Sequence, residues 1–272
     1  MTTWLPRWFA CLVLALPFAP VVAVPDDAEI ARLIKQMGDD DFDQREAATE
    51  ALNKVGKSAL TALRKAAKES GDVEVRARSA TLLQAIEDSL MRPIDLGPHV
   101  NQKLNERFHG AGPGNDLAAL PTGKQTFADI GFTVSGGVVQ LGAGMPEKVE
   151  GIKVGAKAVK LHFLHACGRS GGTPANTPVG KYVVHYDDNS TADVEIVYGK
   201  DVVDWWEQRG VADPTRSKVA WEGQNEVIKA SGLKIKLFLT TWENPHPEKH
   251  IVTLDYVATV AAPFCVAISA EK

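Results

Sequence analysis

Hydrophobic residues follow two different spacings along the chain. Before residue 92 they recur every three or four positions, as in Ile30, Leu33 and Met37, which is the spacing of one face of an α-helix. Beyond that point apolar and polar residues alternate in short runs among many glycines and prolines, and a period of two is typical of half-buried β-strands. The sequence therefore predicts an α + β protein with two domains, a helical segment over 24–91 and an antiparallel β domain over 92–272.

Four helices are predicted in the first domain. Gly38 and Gly56 follow the last apolar positions of the first two helices, as helix-terminating glycines do. Ser58 and Asp72 precede the third and fourth helices, where short polar side chains cap the free N–H groups. Pro93 ends the fourth helix, because proline biases its predecessor away from helical geometry.

The second and fourth helices begin with similar sequences. Asp41-Phe42-Asp43-Gln44-Arg45 and Asp72-Val73-Glu74-Val75-Arg76 match at an offset of 31 residues, and such a period with two helices per unit is typical of a helical solenoid. The segment resembles HEAT-like repeats. The resemblance implies that Asp41 and Asp72 cap their helices and that Arg45 and Arg76 form a structural ladder. Repeats are stable only when they stack on neighbours. An array this short is therefore expected to pack against the next domain or a partner protein.

About ten short strands are predicted in the second domain without intervening helices, which favours an antiparallel sandwich or barrel. They cover Gln125–Val134, Val138–Leu141, Val149–Val154, Val159–Ala166, Tyr182–Tyr186, Val194–Tyr198, Lys218–Trp221, Leu233–Thr241, Ile251–Ala258 and Phe264–Ile268. Between the fifth and sixth strands, Asn189 lies in a turn-forming cluster, 187–190, and asparagine tolerates the left-handed conformation that a hairpin turn needs. These two strands are expected to form a hairpin.

The order of elements over 94–270 resembles the galactose-binding-like jelly rolls. The resemblance rests on the order of strands and on short segments: Asn101, Leu120–Phe127, Gly131–Val134, Leu161–Ala166, Tyr182–Asp187, Tyr198–Asp201, Asp204-Trp205-Trp206 and Thr241–Pro247. It implies a β-sandwich that acts as a non-catalytic binding module, of the kind attached to secreted glycoside hydrolases and cell-surface proteins. One departure is Asn189, where glycine would be usual in the hairpin turn. Such a module behind a signal peptide and a short helical repeat is similar to exported proteins of environmental bacteria.

The first 23 residues have the three parts of a cleavable export signal. Arg7 supplies the positive charge, Trp8–Leu16 is the apolar run, and Val21-Val22-Ala23 ends a cleavage site. A transmembrane anchor needs roughly 20 apolar residues, and Pro17 interrupts this run too early. We therefore expect a signal peptide over 1–23, export to the periplasm or beyond, and no membrane span after cleavage.

The charge balance excludes two classes of partner. Arg7 is the only charged side chain of the signal, so the 30 basic and 34 acidic residues of the whole chain become 29 and 34, a net charge near −5. Nucleic acid and anionic membranes both require a basic surface. Neither is expected to bind.

No sequence pattern supports a metal, a cofactor or a catalytic residue. His162 and His165 are three positions apart in a predicted strand, so they point to opposite faces and cannot hold one ion. No Gly-x-Ser-x-Gly elbow or zinc-binding pattern is present. Glycoside hydrolysis by a pair of carboxylates stays open as an alternative. The candidate acidic residues are Asp187, Asp188, Asp201, Asp204, Glu207, Glu222 and Glu243.

Tryptophans give the stronger indication of function. Those beyond the signal, Trp205, Trp206, Trp221 and Trp242, all lie in the second half of the β domain. Sugar rings stack on indoles while polar side chains hold their hydroxyls. The predicted ligand-binding residues are Trp205, Trp206, Trp242, Asn244, His165 and Glu222. The alternative is that each tryptophan packs in the core.

The sequence thus predicts an exported, non-catalytic protein that binds a glycan or cell-surface polysaccharide. A structural protein that binds a partner through its helical repeat is the alternative. Cys167 and Cys265 are the cysteines beyond the signal; they could form a disulfide in an oxidising compartment, or be two buried, unreactive thiols, which we favour.

Overall fold

The computed structural model describes residues 25–109 and 112–272. The predicted signal peptide lies outside the described residues. The chain divides into two compact units, one ending at Ala80 and the other covering Thr81–Lys272. This boundary lies inside the fourth helix, whereas the sequence places it at residue 91. No helix within the described residues combines the length and the hydrophobicity that a membrane span requires.

Four helices follow one another at the start of the described chain, with a 3-10 turn over Gly56–Ala59. They are α1 (Asp27–Gln36), α2 (Phe42–Val55), α3 (Leu60–Glu69) and α4 (Val73–Leu90). Apolar side chains at helical spacing are buried in the first unit, among them Ile30, Leu33, Leu52 and Leu63. The four predicted helices are therefore found, each within a few residues of its expected ends.

The caps explain where the helices begin. The Asp41 carboxylate accepts hydrogen bonds from the backbone N–H groups of Asp43 and Gln44, at 2.7 and 3.4 Å. The Asp72 carboxylate accepts from the backbone N–H groups of Glu74 and Val75, in the first turn of α4. Ser58 does not cap α3, contrary to the prediction. It lies inside the 3-10 turn, and the N-cap position of α3 is Ala59, which makes no side-chain cap.

The same arginine contact occurs twice. The Arg45 guanidinium donates to the carbonyl oxygen of Asp39 at 2.7 Å, and that of Arg76 donates to the carbonyl oxygen of Ser70 at 2.5 Å. Each arginine therefore bonds to the backbone six positions earlier, in the loop before its own helix. The sequence similarity at an offset of 31 residues thus corresponds to a repeated local structure.

Thirteen strands follow in the described chain, all paired antiparallel. They are β1 (Met91–Ile94), β2 (Gln102–Lys103), β3 (Gly123–Phe127), β4 (Ile130–Val134), β5 (Gly137–Gln140), β6 (Lys148–Ala156), β7 (Lys160–Gly168), β8 (Pro178–Tyr186), β9 (Thr191–Val197), β10 (Lys218–Gly223), β11 (Ile235–Glu243), β12 (Ile251–Ala258) and β13 (Ala262–Glu271). A one-turn helix, α5 (Glu226–Lys229), joins β10 to β11. The strands predicted from residue 138 onward are all found; β1, β2 and α5 are not predicted by the sequence.

Two sheets and one hairpin organise these strands. The larger sheet has the order β10-β11-β7-β13-β5-β2, with β1 also paired to β13, and the smaller has the order β6-β12-β8-β9. Aromatic rings pack between the sheets: Phe163 of β7 stacks on Tyr182 of β8 at 4.1 Å, and Tyr182 stacks on Tyr256 of β12, its neighbour in the smaller sheet, at 4.5 Å. Two antiparallel sheets that share a core in this way are compatible with a β-sandwich.

Turn conformation confirms one predicted hairpin and corrects another segment. Asn189 has a φ of 65° between β8 and β9, as expected. The segment 125–134, predicted as one strand, is instead the hairpin of β3 and β4. Its turn residues Ala128 and Asp129 have φ values of 49° and 68°, the left-handed region that a tight hairpin turn requires.

Candidate ligand-binding cleft

A cleft of about 560 Å³ opens at one edge of the β unit. Asp193, Val194 and Glu195 of β9 form one wall, and the end of β11, residues 240–243, forms the other, with Arg216 beside them. The cleft therefore lies where an outer strand of the smaller sheet meets a strand of the larger one.

Unequal strand lengths explain why the cleft exists. β10 pairs with β11 only as far as Lys218 opposite Leu239. β11 continues to Glu243, paired on its other side with β7. Within the described residues, 240–243 therefore have no strand partner on the side that β10 would occupy. Because β9 is the last strand of its sheet, the cleft lies between two strand edges that offer unpaired backbone groups.

Trp242 is the aromatic side chain of the cleft. It is half-buried, and part of the indole packs against the hydrophobic core. Residues two apart in a strand share a face, so Thr240, Trp242 and Asn244 follow one another on the same side of the chain. A partly exposed indole on a rigid strand is the type of surface on which a sugar ring stacks.

Buried polar groups hold the neighbours of Trp242 in place. The His165 Nε2 atom lies 2.8 Å from the Thr240 hydroxyl, and the Tyr186 hydroxyl donates to the Asn244 Oδ1 atom at 2.6 Å. His165 is only 1% exposed, and burial lowers the pKa of its imidazole to about 4. His165 and Asn244 were expected to contact a ligand; both are buried and support the cleft from behind.

Arg216 is fixed by a buried carboxylate. Its guanidinium donates to both oxygens of Asp201, at 2.6 and 2.5 Å, and Asp201 is 0% exposed. The Val197 N–H donates to the same carboxylate at 2.8 Å. Hydrogen bonding to Asp201 raises the pKa of Arg216. A third hydrogen bond, at 3.3 Å, runs from Arg216 to the carbonyl oxygen of Glu195 and so attaches Arg216 to β9.

Trp205 and Trp206 lie outside this cleft. Trp205 is 2% exposed and contacts the rings of Phe108 and Phe264, with centroids 5.5 and 6.0 Å away. It is therefore a core residue, which is the alternative that the sequence leaves open. Trp206 is half-buried, and its indole N–H donates to Asn115 at 3.0 Å. The cavity beside it holds only about 10 Å³, which is space for a single water molecule.

Glu222 lies outside the cleft of Trp242, and its partner Lys236 lines the small cavity beside Trp206. Glu222 is exposed on β10 and forms ion pairs with Lys234 and Lys236. The predicted set is thus divided: Trp242 lines the cleft, with Asn244 and His165 buried behind it, while Trp205, Trp206 and Glu222 lie elsewhere.

The remaining reactive groups are held in structural contacts. Cys167 and Cys265 are free thiols in the structure and buried, and burial raises the pKa of each to about 12. Thiols of this kind are unreactive. The Asp204 carboxylate accepts the Ser170 hydroxyl at 2.8 Å, and burial raises its pKa. Among the described residues no group of three His, Cys, Asp or Glu side chains is placed to hold a metal ion.

Asp193, Glu195 and Arg216 line the cleft although the sequence does not single them out. The alternation in β9 places Asp193 and Glu195 on one strand face, and this pattern could have identified them as an outward pair. Nothing in the sequence indicates Arg216, because its role depends on the buried Asp201 beside it.

Comparison of the sequence with protein-family models gives no match. Comparison with curated proteins gives none either.

Proposed function

We propose that this chain is an exported, non-catalytic binding protein that recognises carbohydrate in the cleft between β9 and β11. Its β unit would be a galactose-binding-like jelly roll and its helices a HEAT-like repeat. The observation that carries the proposal is the half-buried Trp242 on a rigid strand, in a cleft that Thr241, Glu195 and Arg216 also line. An apolar platform with a few directional polar groups is the usual composition of a sugar site.

Two of the three acidic residues of the cleft are held in ion pairs, which favours binding over hydrolysis. Asp193 is exposed and paired with Lys181 at 2.7 Å, and Glu243 is exposed and paired with Lys160 at 2.9 Å. The general acid of a glycoside hydrolase needs surroundings that keep it protonated, such as an apolar pocket. Incubation with chromogenic glycosides is expected to give no turnover; sustained turnover that a Glu243→Gln substitution abolishes would favour the hydrolase alternative.

Calorimetric titration of the full chain with oligosaccharides from plant and algal polysaccharides tests the proposal. At least one neutral or charged oligosaccharide should bind, and Trp242→Ala should weaken that binding tenfold or more, about 1.4 kcal/mol. Trp221→Ala is the matched control, because Trp221 is half-buried in the same sheet but does not line the cleft. No binding across the panel by the folded protein would refute the proposal.

A second candidate function is a protein-interaction role for the helices. Phe42 and Val73 occupy equivalent positions, as the first residues of α2 and α4, and are 59% and 70% exposed. Exposed apolar side chains at matching positions of two helices offer a partner protein apolar surface to bury. If this role is correct, a partner isolated from envelope extract should be lost with the Phe42→Ser, Val73→Ser double variant.

A further inference from the structure

A second cavity, of about 390 Å³, lies between the end of α4 and the hairpin of β3 and β4. Two residues of α4, one of β1 and three of the hairpin are the part of its lining that carries chemistry. They are Gln84, Asp88, Met91, Lys124, Thr126 and Gly131. All six belong to the second unit, and none lines the cleft of Trp242. The cavity is therefore separate from the proposed carbohydrate site.

Strand geometry shows which side of the hairpin faces the cavity. Thr126 and Gly131 are cross-strand partners, so they share one face of the hairpin, and Lys124 lies on that face two positions earlier. A Cβ atom at Gly131 would lie 3.8 Å from the Asp88 Oδ1 atom and 3.9 Å from Met91. The face that carries Lys124 and Thr126 is therefore turned toward Asp88.

Two opposite charges line this cavity without being paired. Asp88 and Lys124 both contribute to its wall, and within the described residues neither forms an ion pair. Gln84 Nε2 donates to Asp88 Oδ1 at 2.9 Å, which orients the carboxylate and leaves its second oxygen available. The Lys272 ammonium donates to the Ser89 carbonyl oxygen at 2.9 Å rather than to Asp88. Each charge can therefore bind an opposite charge of a ligand without first breaking an ion pair.

The position of Asp88 in its helix suits a positively charged group. Asp88 lies in the last turn of α4, which ends at Leu90. The carbonyl groups at the C-terminal end of a helix carry a partial negative charge that attracts cations. An ammonium group at Asp88 would be attracted by the carboxylate and by the helix end together.

The spacing of the two charges matches the length of a dipeptide. Asp88 lies against the hairpin at the pair of Thr126 and Gly131, and Lys124 follows two residues away, about 7 Å along the strand. The charged ends of an extended dipeptide are separated by a similar length, about 7 Å. In a single amino acid the ammonium and the carboxylate are attached to the same carbon.

We propose that this cavity binds a short zwitterionic peptide of dipeptide size. The Asp88 carboxylate accepts hydrogen bonds from the ammonium group of the peptide, and the Lys124 ammonium donates to its terminal carboxylate. Met91 and Pro93 line the cavity two positions apart in β1, so they share a face and pack against the side chains of the peptide.

Titration of the full chain with alanylalanine, followed by nuclear magnetic resonance, tests this proposal. The backbone N–H signals of Thr126 and Gly131 should shift to saturation, while that of Trp242 should stay in place. N-acetylalanylalanine and alanylalaninamide each lack one of the two charges, and each should bind about fivefold more weakly. That ratio corresponds to one exposed ion pair of about 1 kcal/mol. Free alanine should also bind more weakly than the dipeptide.

Substitutions assign each charge of the ligand to its partner. Asp88→Asn should bind the dipeptide and its N-acetylated form with equal affinity, and Lys124→Gln should bind the dipeptide and its amide with equal affinity. The matched control is Asp129→Asn, because Asp129 is exposed in the turn of the same hairpin and does not line the cavity. It should retain both preferences.

Three results would overturn the inference. The first is the absence of a saturable shift at Thr126 and Gly131. The second is equal or tighter binding of alanine or of either blocked dipeptide by the unchanged protein. The third is a preference over the N-acetylated form that survives Asp88→Asn, or one over the amide that survives Lys124→Gln. None of these results bears on the proposed function, which the oligosaccharide titration tests at a different site.

Discussion

His165 shows at the residue scale how burial sets chemistry in this protein. The imidazole lies among Thr240, Tyr182 and Phe163, away from solvent. Burial disfavours the charged form and lowers the pKa. His109 has the same shift, with burial lowering its pKa to about 4 as well. Both histidines are therefore neutral at neutral pH.

These histidines predict acid sensitivity. The pKa of His165 falls from 6.5 in the unfolded chain to about 4 in the folded one, so the unfolded state takes up the proton first. The free energy of unfolding should be unaffected above pH 6.5 and should decrease as the pH falls from 6.5 to 4. The shift of one such histidine lowers the free energy of unfolding by at most about 3 kcal/mol over this pH range. Urea unfolding at several pH values measures this slope.

His165→Gln should make the free energy of unfolding less dependent on pH, because glutamine cannot take up a proton in this range. His99→Gln, at a half-buried position in a short 3-10 turn, is the control and should leave the slope as it is in the wild type. If the two variants have the same slope as the unchanged protein, burial of His165 does not govern its acid stability.

At the element scale, the helices are the part of the fold that the sequence predicts best. Their ends depend on local chemistry: aspartates before α2 and α4, and Gly56 after α2. The hairpin of β8 and β9 is local as well, because Asn189 adopts the left-handed conformation directly. The turn between β3 and β4 was harder to predict, since Ala128 is not a residue that favours a positive φ.

Tertiary contacts decided what the sequence could not indicate. The burial of Trp205 depends on Phe108 and Phe264, which are far from it in the chain. The cleft itself depends on the place where β10 stops pairing with β11. Strand alternation can place Trp242 on one face of β11, but it cannot show that the strand next to it is short.

The helix caps give a prediction at this scale. Asp41→Ala and Asp72→Ala should each lower the free energy of unfolding by about 1 kcal/mol, because each removes two hydrogen bonds to free N–H groups. Far-ultraviolet circular dichroism during urea unfolding measures the loss. Asp40→Ala, one position before the Asp41 cap, should cost much less; an equal cost would show that capping is not the cause.

At the scale of the whole molecule, the two units have separate proposed roles. The exposed Phe42 and Val73 belong to the first unit, and the cleft belongs to the second. The Phe42→Ser, Val73→Ser double variant should therefore bind oligosaccharide with unchanged affinity in calorimetry, while Trp242→Ala should not. A large loss of affinity in the double variant would show that the helices take part in carbohydrate binding.

Carbohydrate recognition by Trp242 can be tested most directly by nuclear magnetic resonance of the indole N–H groups. The full chain has six tryptophans, and Trp242→Phe identifies the signal of interest. During titration with the oligosaccharide that gives the largest calorimetric response, the Trp242 signal should shift progressively, while those of Trp205 and Trp206 should stay in place. A shift confined to Trp206, or no shift of Trp242 at saturation, would contradict the assignment of this cleft as the carbohydrate site.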